Sequence, residues 1–150
     1  MTNQDFGIYP MPMFPTLSVQ DVRASVDWYS EVLGFGTVFV LPGADGAPVL
    51  GHLRWRKYAD LLLVPDEGGS DSERVKGVGV SLSFLVGDVS VDAMAERLEG
   101  RGVALDEGPV TRPWNTREIV VVDPDGYRLV FFEAVDVERS FEEVMGDVRK

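Results

Sequence analysis

The chain has 150 residues, 45% of them hydrophobic and 26% charged, a balance that supports a buried core and excludes a disordered chain. The formal net charge of −11 argues against nucleic acid as a partner, because that affinity comes from Lys and Arg neutralising phosphates. It is compatible with a cationic ligand, and with the plainer role of keeping the protein soluble. There are no cysteines, which removes disulfides, thiolate nucleophiles and Cys-held metals together. No apolar run approaches the roughly 18 residues of a membrane span. Residues 1–9 lack the basic and apolar regions of a secretory signal, so a cytoplasmic protein is expected, with no membrane partner.

Residues 1–12 form a Pro- and Met-containing arm. Residues 13–19 (MFPTLSV) are a short β-type run. Asp21 then precedes Val22, Val26, Tyr29, Val32 and Leu33, whose spacing predicts an amphipathic helix with an acidic cap and Gly34 as its stop. Strands are expected at 37–41, 49–56 and 60–64, with Pro42, Gly43 and Gly46 breaking the first from the second. Residues 66–76 (DEGGSDSERVK) lack periodicity and read as a linker.

The same order then restarts. Residues 78–86 form an apolar strand, and Asp88 precedes a helix with Val91, Met94, Ala95 and Leu98 on one face, closed by Gly100 and Gly102. Strands follow at 104–110, 118–122 and 128–132, the last two joined by the turn Asp123-Pro124-Asp125-Gly126. Asp21 and Asp88 are 67 positions apart, an offset shared by Leu17 and Phe84, Val19 and Val86, and Val22 and Val89. The expected fold is therefore α+β: one domain of two βαβββ modules, at about 13–65 and 77–134. Together they would form a curved mixed sheet with an inner cleft. Residues 136–150 carry Val137, Phe141, Val144, Met145 and Val148 at helical spacing and predict an extra C-terminal helix, packed on the domain or on a partner subunit.

Two stretches carry a resemblance. SVQDVRASVDWYSEVLGF (18–35) resembles the strand-helix opening of the vicinal oxygen chelate superfamily, the glyoxalase, bleomycin-resistance and dioxygenase group. RPWNTREIVVVDPDGYRLVFFE (112–133) resembles its closing hairpin. The resemblance spans residues 13–134 and implies paired βαβββ modules and a homodimer. Enzymes of the family hold a divalent metal with four side chains facing the cleft, from the first and last strands of each module. The matching positions are Phe14, Leu63, Ser81 and Val130. Three offer no donor, Ser is a poor one, and the chain has a single histidine, His52. No metal and no cofactor are therefore expected.

The emptied cleft, with the likeness to the metal-free branch of the family, implies a non-catalytic protein that sequesters a hydrophobic or aromatic natural product. Its role would be antibiotic self-resistance to a bleomycin-, mitomycin- or enediyne-like ligand. The alternative is a metal-independent enzyme of natural-product biosynthesis, with Glu118, Arg117 or His52 in acid–base work. Trp114, between Pro113 and Asn115, is placed to stack on a planar ligand or else to anchor its loop. The parity of Trp55 leaves core and cleft both open. His52 is either a hydrogen-bond donor to a ligand or a rim histidine. Thr16 and Ser83 share the parity of Phe14 and Ser81, and Arg128 and Phe132 that of Val130. Glu118 on the same face would favour a cationic ligand. Trp28 and Tyr29 read as packing residues, and Asp123 and Asp125 as turn residues.

Overall fold

The computed structural model describes residues 7–67 and 75–150. The chain divides into two units, 1–75 and 76–150. Most of the expected linker and the first residues of the arm lie outside the described residues.

The first unit runs β1 (Thr16–Val19), α1 (Val22–Asp27) with a π-helical continuation (Trp28–Leu33), β2 (Gly36–Pro42), β3 (Pro48–Arg56) and β4 (Ala59–Pro65). Its sheet has the order β1-β4-β3-β2, with β1 parallel to β4 and the other pairs antiparallel. The second unit runs β5 (Ser81–Leu85), α2 (Val91–Gly100), β6 (Glu107–Arg112), β7 (Thr116–Val122) and β8 (Arg128–Ala134), in the order β5-β8-β7-β6. Helix α3 (Phe141–Val148) follows, and Val144 is its buried residue. These are the two βαβββ modules and the C-terminal helix expected from the sequence. Among the described residues no helix is long and apolar enough to cross a membrane.

In each unit one face of the sheet packs on the helix and the other is open. Alternation along the strands assigns every side chain to one face. On the helix face of the first unit Leu17, Val19, Leu53, Trp55, Leu61 and Leu63 are buried, with Val22, Val26, Tyr29 and Leu33 from the helix. Each large aliphatic side chain so removed from water contributes about 1.5–3 kcal/mol. Gly51 lets the helix lie close, since a Cβ there would stand 2.6 Å from Val26 Cγ2. Leu129, Phe131, Ile119 and Val121 play the same part under Val91, Met94, Ala95 and Leu98 in the second unit. The rings of Phe84 and Phe131 stack there at 5.5 Å.

The repeat is less regular than a constant offset of 67. Thr16 pairs with Leu62 across β1 and β4, whereas Ser83 pairs with Val130 across β5 and β8. The first strands thus differ by 67 and the last by 68. Between them the buried helix residues Val22, Val26 and Tyr29 match Val91, Ala95 and Leu98, a difference of 69. The second unit has the longer approach to its helix, so Ser90, not Asp88, is the N-cap, and Val89 is exposed where Val22 is buried. The first unit regains one residue in its π-helical turn. Phe35 N–H reaches back to Tyr29 O, six residues, where Val103 N–H reaches Leu98 O, five. Ser30 Oγ donates to Val26 O at 2.8 Å and so occupies a carbonyl of the widened turn.

Asp21 Oδ1 caps α1 through Ala24 N–H at 3.0 Å, and Ser90 Oγ caps α2 through Ala93 N–H at 3.0 Å. Ser90→Ala is expected to destabilise the protein by about 1 kcal/mol, and Asp88→Ala by no more than a few tenths. Urea unfolding of the two variants measures the difference, and equal effects would contradict the cap assignment.

Candidate functional site

The open face of the first unit carries Thr16 from β1, His52 and Arg54 from β3, and Asp60 and Leu62 from β4. Leu62 stands opposite His52, and Asp60 opposite Arg54. Arg54 donates from Nε to Asp60 Oδ1 at 2.8 Å and from an Nη to Asp60 Oδ2 at 2.9 Å. Both side chains are 3% exposed. His52 Nε2 lies 2.6 Å from the same Oδ2. A buried bidentate pair of this kind overcomes its desolvation only through good geometry and further hydrogen bonds, and here Asp60 has a third donor in His52.

The arm is laid over this cluster. Arg54 donates to Gly7 O at 2.9 Å, and its guanidinium stands 4.4 Å from the centroid of the Tyr9 ring. The Tyr9 hydroxyl accepts the Tyr58 N–H at 2.9 Å, at a β3–β4 turn whose Tyr58 has φ 65°. The two tyrosine rings meet edge to face at 5.3 Å. Tyr9, Met11 and Phe14 from the arm, with His52, Asp60 and Leu62 from the sheet, line a half-open cavity of roughly 220 Å³.

The open face of the second unit carries Ser81 and Ser83 from β5, Arg128, Val130 and Phe132 from β8, and Glu118 and Val120 from β7. It is crossed by an ionic network. Arg112 Nε donates to Glu118 Oε1 at 2.8 Å and an Nη pairs with Glu107, while Arg128 bonds Asp106 at 2.6 Å and Glu107 at 3.0 Å. The hydrogen bond from Arg112 holds the Glu107 carboxyl below the ordinary glutamate range. Its hydrogen bonds to Glu118 and then to Glu107 raise the Arg112 guanidinium above its usual value.

The structure sets several of the expected site residues on or beside the open faces. Phe14 lines the cavity, and Thr16, Ser81, Ser83, Val130, Phe132 and Arg128 lie on open faces. Trp114, at the tip of the β6–β7 hairpin, is 48% exposed, with the Arg112 guanidinium 5.9 Å from its ring. Others are corrected. Leu63 is on the helix face, opposite Gly51 and fully buried, because β4 carries the extra unit of offset; Leu62 takes its place. Trp55 shares that face and packs on Phe35 at 5.1 Å, which makes it a core residue. Asn115 sits at φ 71° and holds both the N–H and the C=O of Asp136, so its amide ties the hairpin to the chain after β8. Glu118 is held by Arg112 and Thr116, and does not present an unpaired charge to a cation. Arg117, a candidate acid–base group, pairs on the helix face with Asp92 of α2.

Tyr9, Met11, Asp60 and Leu62 were not among the expected site residues. Asp60 and Leu62 were within reach of strand parity, since His52 and Asp60 flank a short turn. Nothing in the arm's composition pointed to Tyr9 or Met11. Among the described residues no group of three or more His, Asp or Glu could hold a metal ion.

Comparison with known proteins agrees with this architecture. Residues 14–131 match the model of the Glyoxalase/Bleomycin resistance protein/Dioxygenase superfamily. A virulence protein of Salmonella typhimurium, STM3117, is 29% identical over 118 residues, 73% of this chain and 74% of that protein. A glyoxalase/bleomycin resistance protein from Streptomyces sp. CB03234 is 29% identical, over 80% of this chain and 97% of that one, with a TM-score of 0.61. TnmS3, an antibiotic binding protein from the same Streptomyces, is 28% identical over 85% and 97%, with a TM-score of 0.64.

Asp60→Ala is expected to cost about 3–5 kcal/mol, because it leaves the Arg54 guanidinium buried without its carboxylate. A loss below about 1 kcal/mol in denaturant unfolding would show that the pair is not the anchor described. In an NMR titration Glu107 is expected to protonate below the ordinary glutamate range, and Arg112→Ala to return it there. The ionic contribution of Glu107 to stability is full above the unfolded glutamate value and is lost as pH falls through the lowered folded value.

Proposed function

Because the chain belongs to the Glyoxalase/Bleomycin resistance protein/Dioxygenase superfamily, we infer that it is a binding protein of that family. It takes up a hydrophobic, aromatic natural product without a metal ion and without turning it over. The observation that carries this reading is the chemistry of the open faces. At the positions matching those where enzymes of this family present metal ligands the chain has Phe14, Leu62, Ser81 and Val130. Three are apolar and the fourth is a neutral hydroxyl, so these residues do not fit a divalent metal. They fit an apolar ring system instead. On the first unit's open face Thr16 offers a hydroxyl; in the second unit Ser81 and Ser83 offer hydroxyls and the half-exposed Trp114 a face for stacking.

The naming of TnmS3 as an antibiotic binding protein supports the same class of ligand. Sequestration of a bleomycin-, mitomycin- or enediyne-like antibiotic would then give self-resistance by stoichiometry alone, in a cytoplasmic homodimer. A second reading has one observation in its favour. His52 is paired with Asp60 at 2.6 Å and lines a cavity, an arrangement that a metal-independent enzyme of natural-product biosynthesis would use for proton transfer.

Calorimetric titration with planar aromatic antibiotics is expected to show saturable binding to the metal-free protein, with the ligand recovered chemically unchanged by mass spectrometry. Leu62→Asp, which sets a carboxylate on the apolar face, is expected to weaken binding by about tenfold or more. Steady conversion of ligand to product would favour the enzyme. Stoichiometric zinc, nickel, iron or manganese in the purified protein, or no binding across the panel, would overturn the reading.

A further inference from the structure

We propose that the cavity beneath the arm of the first unit is an anchoring subsite for one hydroxylated aromatic ring of the ligand, with the ring hydroxyl hydrogen-bonded to His52. The assignment rests on the reading of the chain as a binder of aromatic small molecules, and it names which part of such a molecule is recognised and by what.

Size sets the first condition. A ligand site for a whole drug-sized molecule measures about 300–1,000 Å³, whereas an apolar cavity of about 150 Å³ already holds benzene. At roughly 220 Å³ the cavity holds a single substituted ring. Its walls set the second. Met11, Phe14 and Leu62 are apolar, and Tyr9 presents a ring, a lining suited to a flat apolar group.

The polar floor sets the third. Asp60 is paired in bidentate fashion with Arg54, so the two full charges of the floor cancel within hydrogen-bond distance of each other. Asp60 is the charged residue that lines the cavity, and Arg54 already matches it, so neither a cation nor an anion is selected. Besides the Tyr9 hydroxyl, which accepts the Tyr58 N–H, the uncharged polar group of the lining is His52, 19% exposed by its side chain. Its Nε2 is directed at Asp60 Oδ2. A carboxylate can only accept, so Nε2 carries a proton, and an imidazole holding that one proton accepts at Nδ1. An acceptor at the edge of an apolar slot selects a group that donates one hydrogen bond and carries no charge. On an aromatic ring that group is a hydroxyl. Asp60 acts here as a positioning residue, fixing the tautomer and the ring plane of His52.

The test uses the native full-length protein with p-cresol and p-xylene, which differ by a hydroxyl in place of a methyl of similar size. Both are expected to bind, and the ratio of their dissociation constants is expected to move by about tenfold toward p-xylene in His52→Phe, the value of one hydrogen bond. In the native protein the ¹⁵N resonance of the His52 ring nitrogen facing away from Asp60 is expected to shift with p-cresol and not with p-xylene. That second measurement does not depend on the variant folding. An unchanged ratio, no selective nitrogen shift, or no binding of either probe overturns the subsite. If planar antibiotics bind but the cresol signature is missing, the subsite fails and the binding function stands. If the signature is present and no antibiotic is retained, the function fails and the subsite stands.

Discussion

A helix laid across one face of a four-stranded sheet sends every second side chain of each strand into the core and its neighbours onto the open face. Everything functional in this protein follows from which residues that alternation leaves outside. The packing face tolerates little: a polar group turned inward costs several kcal/mol, and a large side chain turned outward forfeits its burial. Register is therefore fixed by the core, and the open face inherits whatever residues lie between. Leu61, Leu63, Leu53 and Trp55 hold the first sheet to its helix, so Asp60, Leu62, His52 and Arg54 are presented together.

The Arg54–Asp60 pair shows what the open face can then support. Two buried charges are a poor source of net stability, because desolvation offsets most of their attraction. Their value here is geometric. Asp60 orients His52, and Arg54 reaches Gly7 O and the face of Tyr9, drawing nine residues of unstructured arm across the sheet. The cavity exists because the arm is held there, and the arm is held by groups whose first partners lie on β3 and β4.

Much of the fold was legible in the sequence because it depends on periodicity: two helices with apolar faces, eight strands, and turns marked by Gly and Pro. The open face was legible where strand parity could be counted from a secure anchor, as for Val130 and Phe132 after the short Asp123–Gly126 turn, and for Ser81 and Ser83 on β5. It slipped by one residue at Leu63. A constant offset of 67 hides two compensating irregularities, a longer approach to α2 and a π-helical turn after α1 that only partly cancels it. Subtraction cannot reveal a widened helical turn, because the hydrogen bond that defines it carries no compositional mark. The arm's part in the cavity was hidden for a different reason. Tyr9 is recruited by a cation–π contact and a hydroxyl bond to a backbone 49 residues away, and neither leaves a local pattern.

The irregular offset also shows how the two copies have divided their work. Once the strands are matched by register, the packing faces correspond in kind: Leu17 and Phe84, Leu63 and Phe131, Leu53 and Val121. The open faces do not. His52 faces Leu62 where Val120 faces Val130, and Asp60 stands where the second copy has Arg128. The Arg112–Glu118 pair of β6 and β7 has Pro42 and Leu50 at the corresponding places. One copy thus carries its charges on the two central strands, buried and self-cancelling beside an apolar slot. The other carries them in a half-exposed network toward its β6 edge. Packing requires the helix faces of both copies to stay apolar and close-fitting, and nothing in packing requires the open faces to differ. The two copies have therefore diverged where packing leaves them free, and each open face presents its own chemistry.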